Sequence, residues 1–208
     1  MDIASFLSTL EDAARSMDWL SFVGLTSGLL CVWLLIRENI WTFPIGLLYA
    51  VVSVVVMPNA RLYADTLLNV YYVVMNAYGW YFWLYRGERS TDDELLITHM
   101  PRHLTATIGS LVVLGTLVMG WWFDTRTDAD LAYWDSATTT MSFAAMWMSA
   151  RKYIENWVVW LVVDAIATVM YFYKNIPFYG LLYGIYLAMA FWGWRAWRKS
   201  MSPVSASA

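Results

Sequence analysis

The segment LYADTLLNVYYVVMNAYGWYFWLY, residues Leu62–Tyr85, is long enough to cross a bilayer as one helix, yet it carries polar side chains in its middle. A helix needs about 20 residues to cross the hydrocarbon. Asp65, Asn69, Tyr72 and Asn76 follow one another at spacings of 4, 3 and 4, which puts them on one helix face. A polar and aromatic stripe at that depth is costly against lipid, so it must face a cavity or a partner helix. The stripe predicts a transporter whose site is lined with amides, a carboxylate and aromatic rings.

The rest of the chain fits a membrane setting. Only 14% of its 208 residues are charged, against about 25% in soluble domains. With 60% hydrophobic residues and a mean hydropathy of +0.49, the class is polytopic α-helical membrane protein. A net charge of −3 and the lack of a basic cluster give no reason to expect a nucleic-acid partner. The single cysteine, Cys31, has no internal disulfide partner and reads as a small buried hydrophobe. Fourteen tryptophans and fourteen tyrosines exceed what a lipid-facing belt needs, so some should line a site. Residues 1–16 show no cleavable signal pattern; Ile3, Phe6, Leu7 and Leu10 suggest a short amphipathic helix on the membrane surface.

Seven spans are expected: Trp19–Ile36, Ile40–Met57, Leu62–Tyr85, Leu104–Phe123, Ala132–Ala150, Ile154–Tyr173 and Phe178–Trp197. Pro58-Asn59 marks a turn after the second, and the one long connection is Arg86–His103. This count separates the basic residues. Arg15, Arg61, Arg126 and Lys174 fall on one side; Arg37, Arg86, Arg89, Arg102, Arg151, Lys152, Arg195, Arg198 and Lys199 fall on the other. The positive-inside rule then predicts a cytoplasmic C-terminus and an outside N-terminus.

An internal repeat is also visible. Gly79-Trp80 and Gly193-Trp194 are 114 residues apart, as are Trp83 and Trp197, Leu68 and Leu182, Tyr72 and Tyr186, and Arg37 and Arg151; Trp41 and Trp157 correspond with a two-residue shift. Two three-span units of the same orientation joined by one extra span make a 3+1+3 parallel repeat, with a site expected near the midplane between them. The expected division is an amphipathic segment at 1–16, a first three-helix repeat at 17–86, a linker with the fourth helix at 87–125, a second repeat at 126–199 and a flexible tail at 200–208.

Four faces bear polar groups at membrane depth. Besides the opening stripe there are Asn156, Trp160 and Asp164 on span six with Trp157 beside them; Asp135, Thr138, Thr139 and Ser142 on span five; and Tyr179, Tyr183 and Tyr186 on span seven. Span two adds Tyr49 and Ser53, with Pro44 and Gly46 as a kink or close-approach point. The expected substrate contacts are Asn69, Tyr72, Asn76, Tyr49, Asn156, Trp157, Trp160, Asp164 and Tyr183. Asp65, Asp135, Thr138, Ser142 and Tyr186 are expected as gating or secondary positions. Each has an alternative. Ser and Thr in membrane helices often bond their own backbone carbonyls, and Asp65 can cap its helix or pair with Arg61. Asp164 could relay a proton or stay charged to hold a cationic ligand.

An enzyme is not expected. The two histidines, His99 and His103, both lie in the linker, and no HExxH, paired cysteines or glycine-rich phosphate loop occurs. No metal or cofactor is expected either.

Three stretches, IWTFPIGLLYA, LYADTLLNVYYVVMNAYGWYFW and YWDSATTTMSFAAMWMSARKYIENWVVWLVVD, resemble the PnuC family of bacterial vitamin transporters over about Leu20–Trp197. The most specific elements are Tyr78–Trp83 and Arg151–Trp160. The resemblance implies a fold like that of the SWEET sugar transporters, facilitated diffusion of nicotinamide riboside across the bacterial inner membrane, trapping by a cytoplasmic kinase, and a homotrimer. It also implies that the Asn69 stripe and Asn156, Trp157 and Trp160 contact substrate. Many nicotinamide riboside members carry Gln where this chain has Asn69, and related members carry thiamine or riboflavin. Thiamine is therefore the second candidate and riboflavin the third. A receptor or scaffold that binds without translocating is the alternative of a different class.

Overall fold

The computed structural model describes residues 11, 15, 19–56, 63–87, 95–127 and 130–201, with the side chains of 55–56 and 63–67 outside the description. Among these are seven α-helices and no strand: α1 Trp19–Ile36, α2 Thr42–Val56, α3 Tyr63–Tyr85, α4 Arg102–Arg126, α5 Ala132–Ala150, α6 Glu155–Tyr173 and α7 Pro177–Ser200. Each corresponds to one expected span. Two ends differ for local reasons. α2 starts after a turn in which the Asn39 side chain accepts the Trp41 N–H at 2.9 Å. α7 begins at Pro177, whose fixed φ and missing N–H suit a first helical position. The Pro58-Asn59 turn, Arg61 and the tail at 202–208 lie outside the described residues, as does most of the 1–16 segment, of which Glu11 and Arg15 form an ion pair at 3.7 Å.

By length and composition, α1, α4 and α6 are apolar enough to cross a membrane, and Thr42–Val54 is a shorter apolar helix. α3, α5 and α7 are diluted by amides, hydroxyls and tyrosines, which need an interior to face rather than lipid.

The helices form a closed ring. α1 packs on α2, α2 on α3, α3 on α5, α5 on α6, α6 on α7, and α7 returns to α1. α4 stands outside and, among the described helices, packs on α5 alone. There Gly115 and Gly120 let it approach Thr140 and Tyr133, and the Thr116 and Thr140 hydroxyls share a 2.8 Å hydrogen bond. A two-fold that maps α1–α2–α3 onto α5–α6–α7 also maps the α3·α5 seam onto α7·α1.

The contacts repeat in detail with the same 114-residue offset. Phe43 meets Trp83 edge to face at 5.0 Å, and Trp157 meets Trp197 edge to face at 5.4 Å. A Cβ at Gly79 would strike Phe43, and one at Gly193 would strike Trp157. Arg37 lies 5.2 Å over Trp33, and Arg151 lies 5.4 Å over Trp147. α1 and α5 end in the same turn. Asn39 N donates to Leu34 O at 2.9 Å and Tyr153 N to Met148 O at 3.0 Å, leaving Glu38 at φ 54 and Lys152 at φ 59. These are left-handed residues of Schellman caps, positions usually held by glycine.

The two turns meet. Lys152 Nζ pairs with the Glu38 carboxylate at 2.7 Å, donates to Leu95 O at 2.6 Å and lies 4.9 Å over Trp83; Lys152 is 4% exposed. The linker closes over the same end. Leu95, Ile97 and Met100 are buried, Thr98 bridges to Tyr153, and Glu155 accepts from Met100 N at 3.0 Å and contacts His99 Nδ1 at 2.7 Å. Leu35, Ile36, Phe43, Phe82, Trp83, Leu95, Ile97, Ile154, Trp157, Ala190 and Trp197 form one core there. Arg37, Arg86, Arg151, Arg195, Arg198 and Lys199 gather at this end, beside the carbonyl ends of α1, α3, α5 and α7.

Candidate functional site

The ring encloses a cavity of about 570 Å³, a size suited to a small organic ligand. It runs from the aromatic core, where Leu35, Trp157 and Ala190 form its floor, to the opposite end, where Phe123, Asp135, Lys174 and Ile176 line it. A shallower surface concavity of about 320 Å³ at the end of α7 is lined by Trp194, Arg195, Arg198 and Lys199. It offers basic groups without amides or carboxylates.

α3 brings Asn69, Tyr72 and Asn76 to the cavity wall, with both amides buried. Asn76 Nδ2 donates to Tyr72 O at 2.8 Å, which fixes the amide along its own helix. Its Oδ1 faces α2 at Gly46, where a Cβ would collide with it. Gly46 is therefore a close-approach point, and Pro44 sits harmlessly in the first turn of α2. Asp65 lies on α3, but its side chain is outside the described residues.

Tyr49 from α2 and Tyr183 and Tyr186 from α7 also line the cavity. Tyr72 neighbours Ser142 on α5, and Tyr49, Tyr72, Tyr183 and Tyr186 lie within electrostatic reach of one another. Tyr183 stacks on Tyr171 at 5.2 Å with planes 14° apart, and Tyr171 stacks in turn on Tyr179 at 5.3 Å. Tyr179 itself is exposed and stays off the cavity wall.

α5 contributes Asp135, Thr138, Thr139, Ser142 and Ser149. Thr138 donates to its own helix, at 2.9 Å to Asp135 O. Asp135 pairs with Lys174 at 3.2 Å near the open end.

α6 gives Trp157, Trp160 and Asp164. Asn156 is placed differently from the expectation. It is fully buried and absent from the cavity surface. Its Nδ2 donates to Tyr153 O at 2.6 Å and its Oδ1 lies 3.2 Å from the Ser149 hydroxyl, so it braces the first turn of α6 against α5. The Trp160 indole N–H donates to Ser149 Oγ at 3.3 Å. Trp157 is 1% exposed, and its indole N–H has no acceptor among the described residues.

Gly46, expected as a kink or close-approach point, also lines the cavity; Gly28, Cys31, Ser149 and Tyr171 line it without having been expected. The repeat carries a signal for one of them: Gly28 stands 114 residues before Ser142. Ser142 neighbours Tyr72; a Cβ at Gly28 would lie 2.7 Å from the Tyr186 hydroxyl. Cys31 and Thr42 clasp α1 to α2, with Thr42 Oγ1 donating to Cys31 O at 2.8 Å and Cys31 Sγ to Thr42 O at 3.3 Å. No pattern in α1 alone marks these positions.

Comparison with known proteins adds four findings. The profile of the nicotinamide mononucleotide transporter family matches residues 18–199. The chain is 28% identical over 210 residues to the nicotinamide riboside transporter PnuC of Escherichia coli K12, covering 88% of this chain and 87% of that one. It is 25% identical over 191 residues to the riboflavin/roseoflavin transporter RibM of Streptomyces davaonensis, covering 89% of each. The crystal structure of the vitamin B3 transporter PnuC superposes with a TM-score of 0.71 at 24% identity, over 93% of this chain and 88% of that one.

Proposed function

Because the chain belongs to the nicotinamide mononucleotide transporter family of membrane transporters, we propose that it carries nicotinamide riboside across the bacterial inner membrane by facilitated diffusion. The observation that carries this reading is the cavity inside the helix ring, lined by amides, tyrosine and tryptophan rings and a buried carboxylate. The nicotinamide ring of the riboside is a planar cation, and each Tyr or Trp face can hold it with roughly 0.5–2 kcal/mol. Asn69 and Asn76 can read the carboxamide and the ribose hydroxyls.

The cavity disfavours a nucleotide. Its one lining cation among the described residues is Lys174, already paired with Asp135, so a phosphate dianion would enter unpaired. The same property supports trapping: a cytoplasmic kinase that phosphorylates the riboside yields a product this site does not carry back. The basic residues at the closed end support a cytoplasmic placement of that end and of the C-terminus. The halves 17–86 and 126–199 then rock about the substrate, so that the cavity, now reaching the Asp135–Lys174 end, opens alternately. The outer face of α4, with Leu114, Leu117, Val118, Trp121 and Trp122 exposed, is left for lipid or a second copy in a homotrimer.

Thiamine is the second reading, since it too is an aromatic cation of suitable size. The test is a binding panel of nicotinamide riboside, thiamine and riboflavin on purified protein, with uptake of the labelled ligand into proteoliposomes. Saturable uptake that equilibrates without exceeding the outside level, even under an imposed proton gradient, is expected. Tight binding without uptake would sink the transporter reading in favour of a receptor. Unchanged affinity in Asn69→Ala would remove Asn69 from the site.

A further inference from the structure

Asp164 stands apart from every other charged group of the cavity. It is 5% exposed, lies at mid-helix on α6 and borders the cavity. Among the described residues no hydrogen bond or ion pair engages its carboxylate; apart from the bonds of its helix, Thr168 Oγ1 donates to its backbone carbonyl at 2.6 Å. Its electrostatic neighbours across the cavity are the phenols Tyr72, Tyr183 and Tyr186. The other carboxylate on the lining, Asp135, has Lys174. The repeat offers no counterpart either: the position 114 residues earlier is Ala50, fully buried and off the lining. Among the described residues the two halves thus present one uncompensated carboxylate to the cavity, on the α6 side.

We propose that Asp164 is the specificity residue that makes this cavity select a singly charged aromatic cation over a neutral ring of the same shape. The inference rests on the vitamin-transport reading and deepens it. A buried carboxylate is costly unless paired, and here the partner is the ligand. A neutral ligand fills the same volume and stacks on the same rings but leaves the carboxylate unpaired. The asymmetry also orients the ligand, with its charged ring toward α6. Nicotinamide riboside and thiamine meet the charge requirement, whereas the neutral isoalloxazine of riboflavin does not.

The test uses two ligands that differ in little but charge, nicotinamide riboside and its neutral 1,4-dihydro form, titrated onto purified wild-type, Asp164→Asn and Asp164→Glu protein. The expected result is preference of the wild type for the cation. Asp164→Asn should weaken the cation about ten- to hundredfold, the lower part of the range for a close charge pair, with little change for the neutral form. Asp164→Glu should restore part of the preference. Binding of the neutral form by Asp164→Asn shows that the nearly isosteric variant folds. Equal affinity of wild type for both forms, or the same effect of Asp164→Asn on both, overturns the charge assignment and leaves the transport reading standing. Failure of the wild type to bind either nicotinamide riboside or thiamine overturns both.

Discussion

At the scale of single residues, glycines decide which rings can meet. Gly193 lies against Trp157, and Gly79 lies against Phe43. Trp157 has no room to yield, being 1% exposed and held edge to face by Trp197, whose indole N–H donates to Leu35 O at 3.0 Å. Gly193→Ala should therefore destabilise the protein by about 1–3 kcal/mol, the usual cost of overpacking. Gly184→Ala is the control: nothing lies within 4 Å of a Cβ there, and alanine favours the helix. Thermal unfolding in detergent should show a lower midpoint for the first and an unchanged or higher one for the second. Gly46→Ala belongs with the site, because the added methyl displaces Asn76; ligand affinity should fall. The sequence pairs Gly79 with Gly193, but which ring each glycine admits is a matter of how α2 and α6 cross them. Asn156 makes the same point. Its helical spacing with Trp160 and Asp164 suggests one shared face, yet it begins its helix, and the α5–α6 turn draws it inward to Tyr153 and Ser149.

At the scale of elements, the linker is the part that periodicity could not read. Residues 95–100 contain no helix, and they hold by side-chain anchors instead. Glu155, in the first turn of α6, takes Met100 N and His99, while Lys152 takes Leu95 O. Removing the carboxylate in Glu155→Ala leaves Met100 N without its acceptor. Amide hydrogen exchange across 95–100 should quicken, while α5 and α7 keep their protection. Unchanged exchange would mean that the buried Leu95 and Ile97 hold the segment alone. Helix existence was legible because apolar length is a property of the chain itself. Helix ends depended on caps: the left-handed Glu38 and Lys152 carry no glycine to announce them.

For the molecule as a whole, the Glu38–Lys152 pair is a contact between the halves at the closed end. Under the proposed alternating access that end has to open, and the pair would then break in each cycle. Cys31 reports on this, since it is the chain's single cysteine and lines the cavity. In Glu38→Gln, a membrane-impermeant thiol reagent applied from the basic end should label Cys31 several-fold faster than in wild type. Exchanging the two charges, Glu38→Lys with Lys152→Glu, should slow it again. Labelling that ignores both changes would show that the aromatic core seals this end without the pair. The sequence by itself determined the membrane class, the seven helices and the 114-residue correspondence, because hydropathy, span length and repetition are written along the chain. It also supplied most of the polar and aromatic residues of the cavity wall, because a polar group at membrane depth must face inward. Tertiary structure decided the rest. Ring closure through α3·α5 and α7·α1 determines which inward faces enclose one space. Packing against a neighbour moves Asn156 off the wall and brings Gly28 and Cys31 onto it. Only the folded chain shows that, among the described residues, Asp135 of the stretch Ala132–Ala150 has a lysine and Asp164 has none, because partners far apart in sequence meet only across the ring. The polar stripe of Leu62–Tyr85 announced a site, and the packing of the other helices against it gives that site its shape and its charge.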